Sequence, residues 1–218
     1  MKKFKAVIFD LDGTLLDTVE DIAVSVNKVL TENNLPCHTL DDYRLFVGRG
    51  IAKLVEQATP REKHTESFLK KIYSEVINEY AKNLDRYTKP YQGIDELLDG
   101  LTSKNIKMAI LSNKAHEFMA DVVNSYFKNW SFEVVFGARK NVPTKPNPYS
   151  VFEMLQIMQL SPSEVVYVGD TEIDMQTANA AGLYSVGVAW GFRKRDVLVN
   201  NGAKLIVDYP HELLKLFS

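Results

Sequence analysis

The chain has 218 residues, of which 45% are hydrophobic and 25% are charged, and its formal net charge is -2. A chain of this length can bury a hydrophobic core and form one domain with a smaller insert. The near-neutral charge gives no net basic field for nucleic acid. No apolar run approaches the roughly 20 residues needed to cross a bilayer. We therefore expect no nucleic-acid partner and no membrane partner.

Cysteine content and the start of the chain bear on its location. Cys37 is the only cysteine, which excludes an intramolecular disulfide and a Cys-rich zinc site and favours a reducing compartment. The basic start, Met1–Lys5, is followed by four apolar residues before Asp10, which is too short for the apolar part of a secretory signal. We expect a cytoplasmic protein that is a monomer or a weak homodimer.

Short apolar runs without polar alternation are typical of strands that are covered on both faces of a parallel sheet. Four such runs are Ala6–Phe9, Met108–Leu111, Val165–Val168 and Ser185–Val188. Each is followed by polar or glycine residues and then by a helical pattern, which predicts an α/β fold with a Rossmann-like, doubly wound parallel sheet. Ligands bind such sheets at the carboxyl ends of the strands. Asp10, Ser112 and Asp170 each come just past a predicted strand.

A long segment separates the first two predicted strands, and residues 10–107 contain no convincing strand. Apolar residues recur at helical spacing from Val19 to Leu30 and again from Leu69 to Tyr80. We therefore predict an all-helical cap, or lid, at residues 15–87, inserted into a core domain made of residues 1–14 and 88–218. A last helix is predicted from Pro210.

Two aspartates, Asp10 and Asp12, follow the first predicted strand and precede Gly13-Thr14. Like charges this close raise each other's pKa unless a cation lies between them. Mg²⁺ takes oxygen ligands and commonly contacts one or two carboxylates and a substrate phosphate. Asp170 would add a third carboxylate, with Asp174 one helical turn further on. Taken singly, these residues also fit a turn or a helix N-cap, but together they indicate a magnesium site.

Four segments of the chain form an ordered set of motifs. They are Val7–Leu15, with the pattern Asp-x-Asp-Gly-Thr; Ile110–Asn113, a strand ending in a hydroxyl residue; Thr144–Pro148, with a lysine between a threonine and a proline; and the acidic Val168–Met175. These segments resemble the motifs of the haloacid-dehalogenase-like phosphohydrolases. Any single motif could arise by chance. Four motifs in the right order, over most of the chain, make a chance match negligible.

The resemblance implies a division of labour between the first two aspartates. Asp10 would be the nucleophile, and its attack on phosphorus would form an aspartyl-phosphate that splits one difficult displacement into two easier ones. Asp12 would first protonate the leaving alkoxide. It would then take a proton from the water that cleaves the intermediate.

The remaining motif residues would hold the substrate and the metal. The resemblance assigns the phosphoryl oxygens to Ser112, Asn113 and Lys145. It implies Mg²⁺ bound by the side chains of Asp10 and Asp170 and by the backbone carbonyl of Asp12. Thr14 and Asp174 would lie just outside the metal ligands, with Asp174 near Lys145. Taken alone, Ser112 and Asn113 could cap a helix, and Lys145 could be a solvated lysine, but two prolines stiffen the backbone around it.

Within the family, Asp12 implies phosphoester chemistry, because the branches that cleave carbon–halogen or carbon–phosphorus bonds lack a carboxylate there. A helical lid after the first motif implies the small-cap subgroup, which acts on small phosphorylated metabolites. Phe46–Gly50 and Gly187–Arg193 look like the phosphoglycolate phosphatase members of that subgroup. Arg49 would then contact an anionic group of the substrate, although it could equally be a solvated arginine in a tight turn.

Other functions stay open on the same core. They are a pyrophosphatase, a sugar-phosphate phosphatase, a β-phosphoglucomutase-like phosphotransferase and a non-catalytic binding protein. The last would be favoured by loss of Asp10 or Asp12, and both are present.

Overall fold

The computed structural model describes residues 4–217; Met1–Lys3 and Ser218, which belong to the predicted core domain, lie outside the described residues. The strands are β1 (Ala6–Phe9), β2 (Leu16–Asp17), β3 (Lys89–Pro90), β4 (Lys107–Ala115), β5 (Val134–Ala138), β6 (Val165–Gly169), β7 (Tyr184–Val188) and β8 (Leu205–Val207). The helices are α1 (Val19–Glu32), α2 (Leu40–Phe46), α3 (Ile51–Ala58), α4 (Glu66–Tyr80), α5 (Ile94–Ser103), α6 (Met119–Tyr126), α7 (Tyr149–Met158), α8 (Glu172–Ala180) and α9 (Arg195–Asn200).

Six strands form one parallel sheet in the order β5-β4-β1-β6-β7-β8, which confirms the predicted fold class. β1 lies between β4 and β6, and Phe9 pairs with Ile110 on one side and Val168 on the other. The chain continues to β4 and β5 on one side of β1 and later to β6, β7 and β8 on the other. The carboxyl end of β1 is therefore the point of topological reversal, where sheets of this kind bind ligands.

Alternate residues of the central strands point to opposite faces of the sheet, and both faces are covered. Val7 and Phe9 belong to a cluster that includes residues of α5 and α6, whereas Ala6 and Ile8 belong to a second cluster with residues of α7 and α8. Burial on both faces explains why these strands are continuous apolar runs.

The helices α1 to α4 share a third hydrophobic cluster, which confirms the helical spacing predicted around α1 and α4. Two aromatic side chains from the rest of the chain, Phe118 and Phe192, also belong to this cluster. Leu15 and Leu16 pack instead in the cluster of the sheet. The division into a lid at 15–87 and a core remains a proposal.

Two local predictions differ from the structure. Residues 10–107 do contain strand, because β2 pairs antiparallel with β3, but two-residue strands are too short to give a periodic signal. Ser112 lies inside β4, at the break in pairing between Leu111 and Ala115, and not past the strand end. The last helix predicted from Pro210 is present, as a 3₁₀ helix over Pro210–Phe217.

A buried carboxylate fixes the place where the chain returns from α4 to the sheet. Asp21 lies in the first turn of α1 and is 1% exposed. It accepts hydrogen bonds from the backbone N–H of Tyr87, from the N–H of Thr88 at 2.8 Å and from the Thr88 hydroxyl at 2.7 Å. These bonds attach the start of α1 to the segment that leads into β3.

We predict that Asp21→Ala lowers the free energy of unfolding by roughly 1.5–3 kcal/mol, because it leaves buried donors without their charged acceptor. Urea unfolding measures the change. The matched control is Glu20→Ala, which removes the exposed neighbouring acid and should change stability by less than about 0.5 kcal/mol. Equal effects of the two substitutions would show that Asp21 does not hold this junction.

Candidate active site

Three predicted site residues lie on adjacent strands at the carboxyl edge of the sheet. Asp10 follows β1, Ser112 lies late in β4, and Asp170 follows β6; each of the three is at most 5% exposed. The Asp10 backbone N–H donates to the carbonyl of Val168 at 2.9 Å, which continues the β1–β6 pairing up to the site. The strand order thus brings together residues that are far apart in the sequence.

Two loops that pack against Asp170 require glycine, at positions 13 and 191. Gly13 has φ +87°, and a Cβ placed there would lie 2.3 Å from Asp170 Oδ2. A Cβ at Gly191 would lie 2.2 Å from the Cβ of Asp170. The backbone of both loops therefore approaches the carboxylate more closely than any side chain would allow.

Lys145 connects two of the carboxylates. Its ammonium nitrogen is 2.8 Å from Asp10 Oδ1 and 2.7 Å from Asp174 Oδ1, and its side chain is 2% exposed. Asn113 fixes the backbone of Lys145, since its Oδ1 accepts from the Lys145 N–H at 3.0 Å and its Nδ2 donates to the Lys145 carbonyl at 3.1 Å. Asn113 Nδ2 also donates to the carbonyl of Gly48, between α2 and α3.

Asp174 has both carboxylate oxygens in use within the protein. One oxygen accepts from the backbone N–H and the hydroxyl of Thr171, which caps the start of α8. The other accepts from Lys145 and from the hydroxyl of Tyr167. Asp174 therefore positions the lysine, which agrees with its predicted place near Lys145.

Asp170 is held by weaker partners. Its Oδ1 accepts from the hydroxyl of Thr14 at 3.2 Å, and its Oδ2 accepts from the backbone N–H of Phe192 at 2.8 Å. The predicted neighbour Thr14 thus contacts Asp170 directly. No ammonium or guanidinium group among residues 4–217 forms an ion pair with this carboxylate.

The buried acids carry more negative charge than the protein balances. Ligand oxygens of Asp10, Asp170 and Asp174 all lie within 4.8 Å of one another. Burial raises the pKa of Asp10 well above its ordinary value, and Asp174 raises it further although Lys145 opposes this. Burial and Asp174 raise the pKa of Asp170 to about 7. Three carboxylates share one ammonium, so this donor set fits a divalent cation.

The carboxylate of Asp12 pairs with Lys114, whereas that of Asp10 pairs with Lys145. Asp12 Oδ1 lies 3.2 Å from the ammonium nitrogen of Lys114, and the Ser112 hydroxyl donates to Asp12 Oδ2 at 3.5 Å. Lys114 also donates to the hydroxyl of Tyr80 in α4. The side chain of Lys114 is 3% exposed.

The loop after β7 joins the carboxylate site to the helices α1 to α4. Phe192 donates its N–H to Asp170, while its ring packs in the cluster of those helices. The Arg193 guanidinium donates to the carbonyls of Leu45 and Val47 and forms an ion pair with Glu172. Asp170 and the end of α2 are therefore held by neighbouring residues of one loop.

Arg49 lies away from the carboxylates. It is exposed, and its guanidinium forms no hydrogen bond or ion pair within the described part of the chain. It lines a surface groove together with Thr144, Lys145 and Asn147.

Comparison with known proteins identifies the family. The model for haloacid dehalogenase-like hydrolases matches residues 7–188. The chain belongs to this family. It is 31% identical over 217 residues to the phosphoglycolate phosphatase of Aquifex aeolicus, a match that covers 98% of this chain and 97% of that one. It is 29% identical over 221 residues to the phosphoglycolate phosphatase of Chromobacterium violaceum, with 100% and 98% covered.

A solved structure of the same family has nearly the same backbone. The crystal structure of a predicted phosphoglycolate phosphatase from Haemophilus somnus 129pt superposes with a TM-score of 0.93 at 25% identity, and the match covers 100% of both chains. These relatives confirm the predicted resemblance and the prediction of a phosphatase. Among residues 4–217 of this hydrolase, no helix is both long and apolar enough to cross a membrane. The expected lack of a nucleic-acid partner and the oligomeric state stay predictions.

Lys114 and Tyr80 line the site of this haloacid dehalogenase-like hydrolase but were not predicted as site residues from the sequence. Lys114 directly follows Ser112 and Asn113, and a lysine at the end of an apolar strand was a usable signal, because lysine is seldom buried without a partner. Tyr80 gave no such signal, since it fits the apolar spacing of α4.

The unpaired charge of Asp170 should make the stability of the metal-free hydrolase depend on pH. A folded-state pKa near 7 lies above the ordinary value, so the folded protein binds a proton that the unfolded chain loses between about pH 4 and 7. Stability should therefore fall as the pH rises through that range. We expect Asp170→Asn, which removes the charge, to raise the melting temperature of the metal-free protein at pH 8, by roughly 2–4 °C per kcal/mol of relieved repulsion.

Added MgCl₂ should raise the melting temperature of the wild type but not that of Asp170→Asn. At a hundredfold excess over its Kd, a bound cation stabilises the folded state by about 2.7 kcal/mol, which the wild type should show and Asp170→Asn should lack. Thermal unfolding with and without MgCl₂ measures both effects. Asp196→Asn, at an exposed site, is the control and should behave as the wild type does. An unchanged metal response in Asp170→Asn would remove Asp170 from the cation site.

Proposed function

We propose that this hydrolase is a Mg²⁺-dependent phosphomonoesterase that acts on a small metabolite through an aspartyl-phosphate on Asp10, and that phosphoglycolate is its substrate. The observation that carries the proposal is the environment of Asp10. This buried carboxylate ends the central strand, contacts Lys145 at 2.8 Å and belongs to the acidic cluster with Asp170.

Asp10 is oriented for attack through one of its oxygens. Its Oδ1 accepts from Lys145 and, at 2.7 Å, from the backbone N–H of Leu11. Its Oδ2 accepts no hydrogen bond from residues 4–217, so one carboxylate oxygen is left for phosphorus. Asp10 would form the new P–O bond as the ester P–O bond breaks and the electron pair leaves with the alcohol oxygen.

Asp12 would carry the proton in both halves of the reaction. Its carboxyl group lines the same cavity as Asp10 and contacts Ser112 and Lys114. It would give a proton to the departing alkoxide in the first step. In the second step it would take a proton from the water that attacks the phosphorus of the aspartyl-phosphate, which releases phosphate and restores Asp10.

The phosphoryl oxygens would be held by Ser112 and Lys145, with assistance from backbone N–H groups and from Asn113. The side-chain amide of Asn113 is already bonded to Lys145 and Gly48, so its contribution would come through its backbone and through Lys145. Asp10, Asp170 and the Asp12 backbone carbonyl would hold Mg²⁺, which neutralises charge that develops on the phosphoryl oxygens.

The walls of the cavity support a small substrate. The space above Asp10 and Asp12 is closed on one side by Ile51 and Leu54 of α3. A space enclosed in this way fits the proposed substrate, phosphoglycolate. The names of the relatives from Aquifex aeolicus and Chromobacterium violaceum support the same substrate. Arg49, at the groove outside, would attract an anionic substrate.

We predict that Asp10→Asn lowers the kcat for Mg²⁺-dependent phosphate release from p-nitrophenyl phosphate by at least about 10³-fold, because removal of a nucleophile leaves only positioning and charge stabilisation. Asp10→Ala serves as a second variant, since asparagine can hydrolyse back to aspartate. Asp95→Asn changes an exposed acid at the start of α5 and is the control for net charge. Substantial activity in both Asp10 variants would mean that another group attacks phosphorus.

A further inference from the structure

Lys114 is a buried cation that the proposed phosphoryl transfer does not use. Its side chain is 3% exposed, and its ion pair is with Asp12. Its ammonium nitrogen lies 3.2 Å from Asp12 Oδ1 and donates to the hydroxyl of Tyr80. A lysine placed this deep in the protein is costly unless its charge has a function or a full set of partners.

The ammonium group has one donor more than the protein uses. It has three N–H groups, of which Asp12 and Tyr80 accept two. No third acceptor is present within residues 4–217. One N–H of Lys114 is therefore available for a ligand.

Among the described residues that line the cavity, Lys114 is the only one with a positive charge. Asp10, Asp12, Ser112 and Asn113 form the floor near the sheet. The side towards α1 to α4 is mostly apolar and consists of Ile22, Val47, Ile51 and Leu54, with Tyr80 as its polar side chain. A negatively charged group that entered this space would find one ammonium and no other cation.

We propose that Lys114 is the specificity-determining residue of this site and binds a carboxylate on the leaving alcohol, one carbon away from the ester oxygen. The inference rests on the proposed function, because it takes Asp12 as the group nearest the leaving oxygen. Lys114 lies beside Asp12 and is therefore within reach of a carboxylate on the adjacent carbon. Tyr80 belongs to α4, so the complete binding position needs these helices closed over the sheet.

The test compares two substrates of the same size, 2-phosphoglycolate and its neutral amide, 2-phosphoglycolamide. Charge-assisted hydrogen bonds from a buried ammonium predict that the wild type prefers the carboxylate by about 10- to 100-fold in kcat/KM. Lys114→Met keeps the length of the side chain but removes its charge, and it should bring the ratio close to one. Lys114→Gln, which can still bond to Tyr80, should do the same and covers the case in which the methionine variant does not fold.

Two further variants separate Lys114 from other cations. Lys82→Met removes a charge from an exposed lysine that pairs with Glu79 and should keep the wild-type ratio. Arg49→Ala should weaken the preference less than Lys114→Met does, because Arg49 lines the groove outside the cavity.

The outcomes separate this inference from the proposed function. If the Lys114 variants lose activity equally on both substrates, Lys114 only positions Asp12 and the inference is wrong. If the wild type hydrolyses both substrates equally well, the inference is also wrong, but the phosphatase mechanism stands. If the wild type hydrolyses neither substrate nor p-nitrophenyl phosphate in the presence of Mg²⁺, the proposed function itself fails and the inference fails with it.

Discussion

Lys145 lies between two buried carboxylates, 2.8 Å from Asp10 and 2.7 Å from Asp174, while Asp170 in the same cluster has no ion-pair partner among residues 4–217. A charge imbalance of this kind destabilises a folded protein unless a ligand corrects it. The surrounding residues keep the acids in place despite that cost: Asn113 fixes the lysine backbone, Thr171 holds Asp174, and glycines leave room beside Asp170. This arrangement of carboxylates fits a divalent cation.

The second feature of the site is its dependence on the helices between β2 and β3. Asn113 bonds to Gly48, Lys114 bonds to Tyr80, and Phe192 packs among α1 to α4 while its N–H holds Asp170. Each of these contacts joins a residue of the sheet edge to the helical segment. Movement of the helices away from the sheet would therefore open the cavity and disturb the cation site together, which links substrate entry to the geometry of catalysis.

The sequence was sufficient for four of the six strands of the sheet and for most of the acidic site, because buried parallel strands are continuous apolar runs and polar residues follow their carboxyl ends. Asp10, Asp170 and Lys145 do lie together as the motifs predicted. β5 was missed, because Val135, Phe136 and Ala138 are only partly buried and Gly137 interrupts the apolar run. The Lys114–Tyr80 contact was also missed, since it joins residues 34 positions apart through the tertiary packing of α4 on the sheet edge. Pairings of that kind leave no periodic trace in a sequence.

The stereochemistry at phosphorus tests the central claim most directly. A thiophosphate monoester that is chiral at phosphorus through sulfur, ¹⁶O and ¹⁸O is hydrolysed by the wild-type enzyme in H₂¹⁷O, so that the configuration of the released thiophosphate can be read. Two successive in-line displacements, first by Asp10 and then by water, each invert the configuration, so the account predicts overall retention. Overall inversion would show that water attacks the substrate directly and would contradict an aspartyl-phosphate on Asp10.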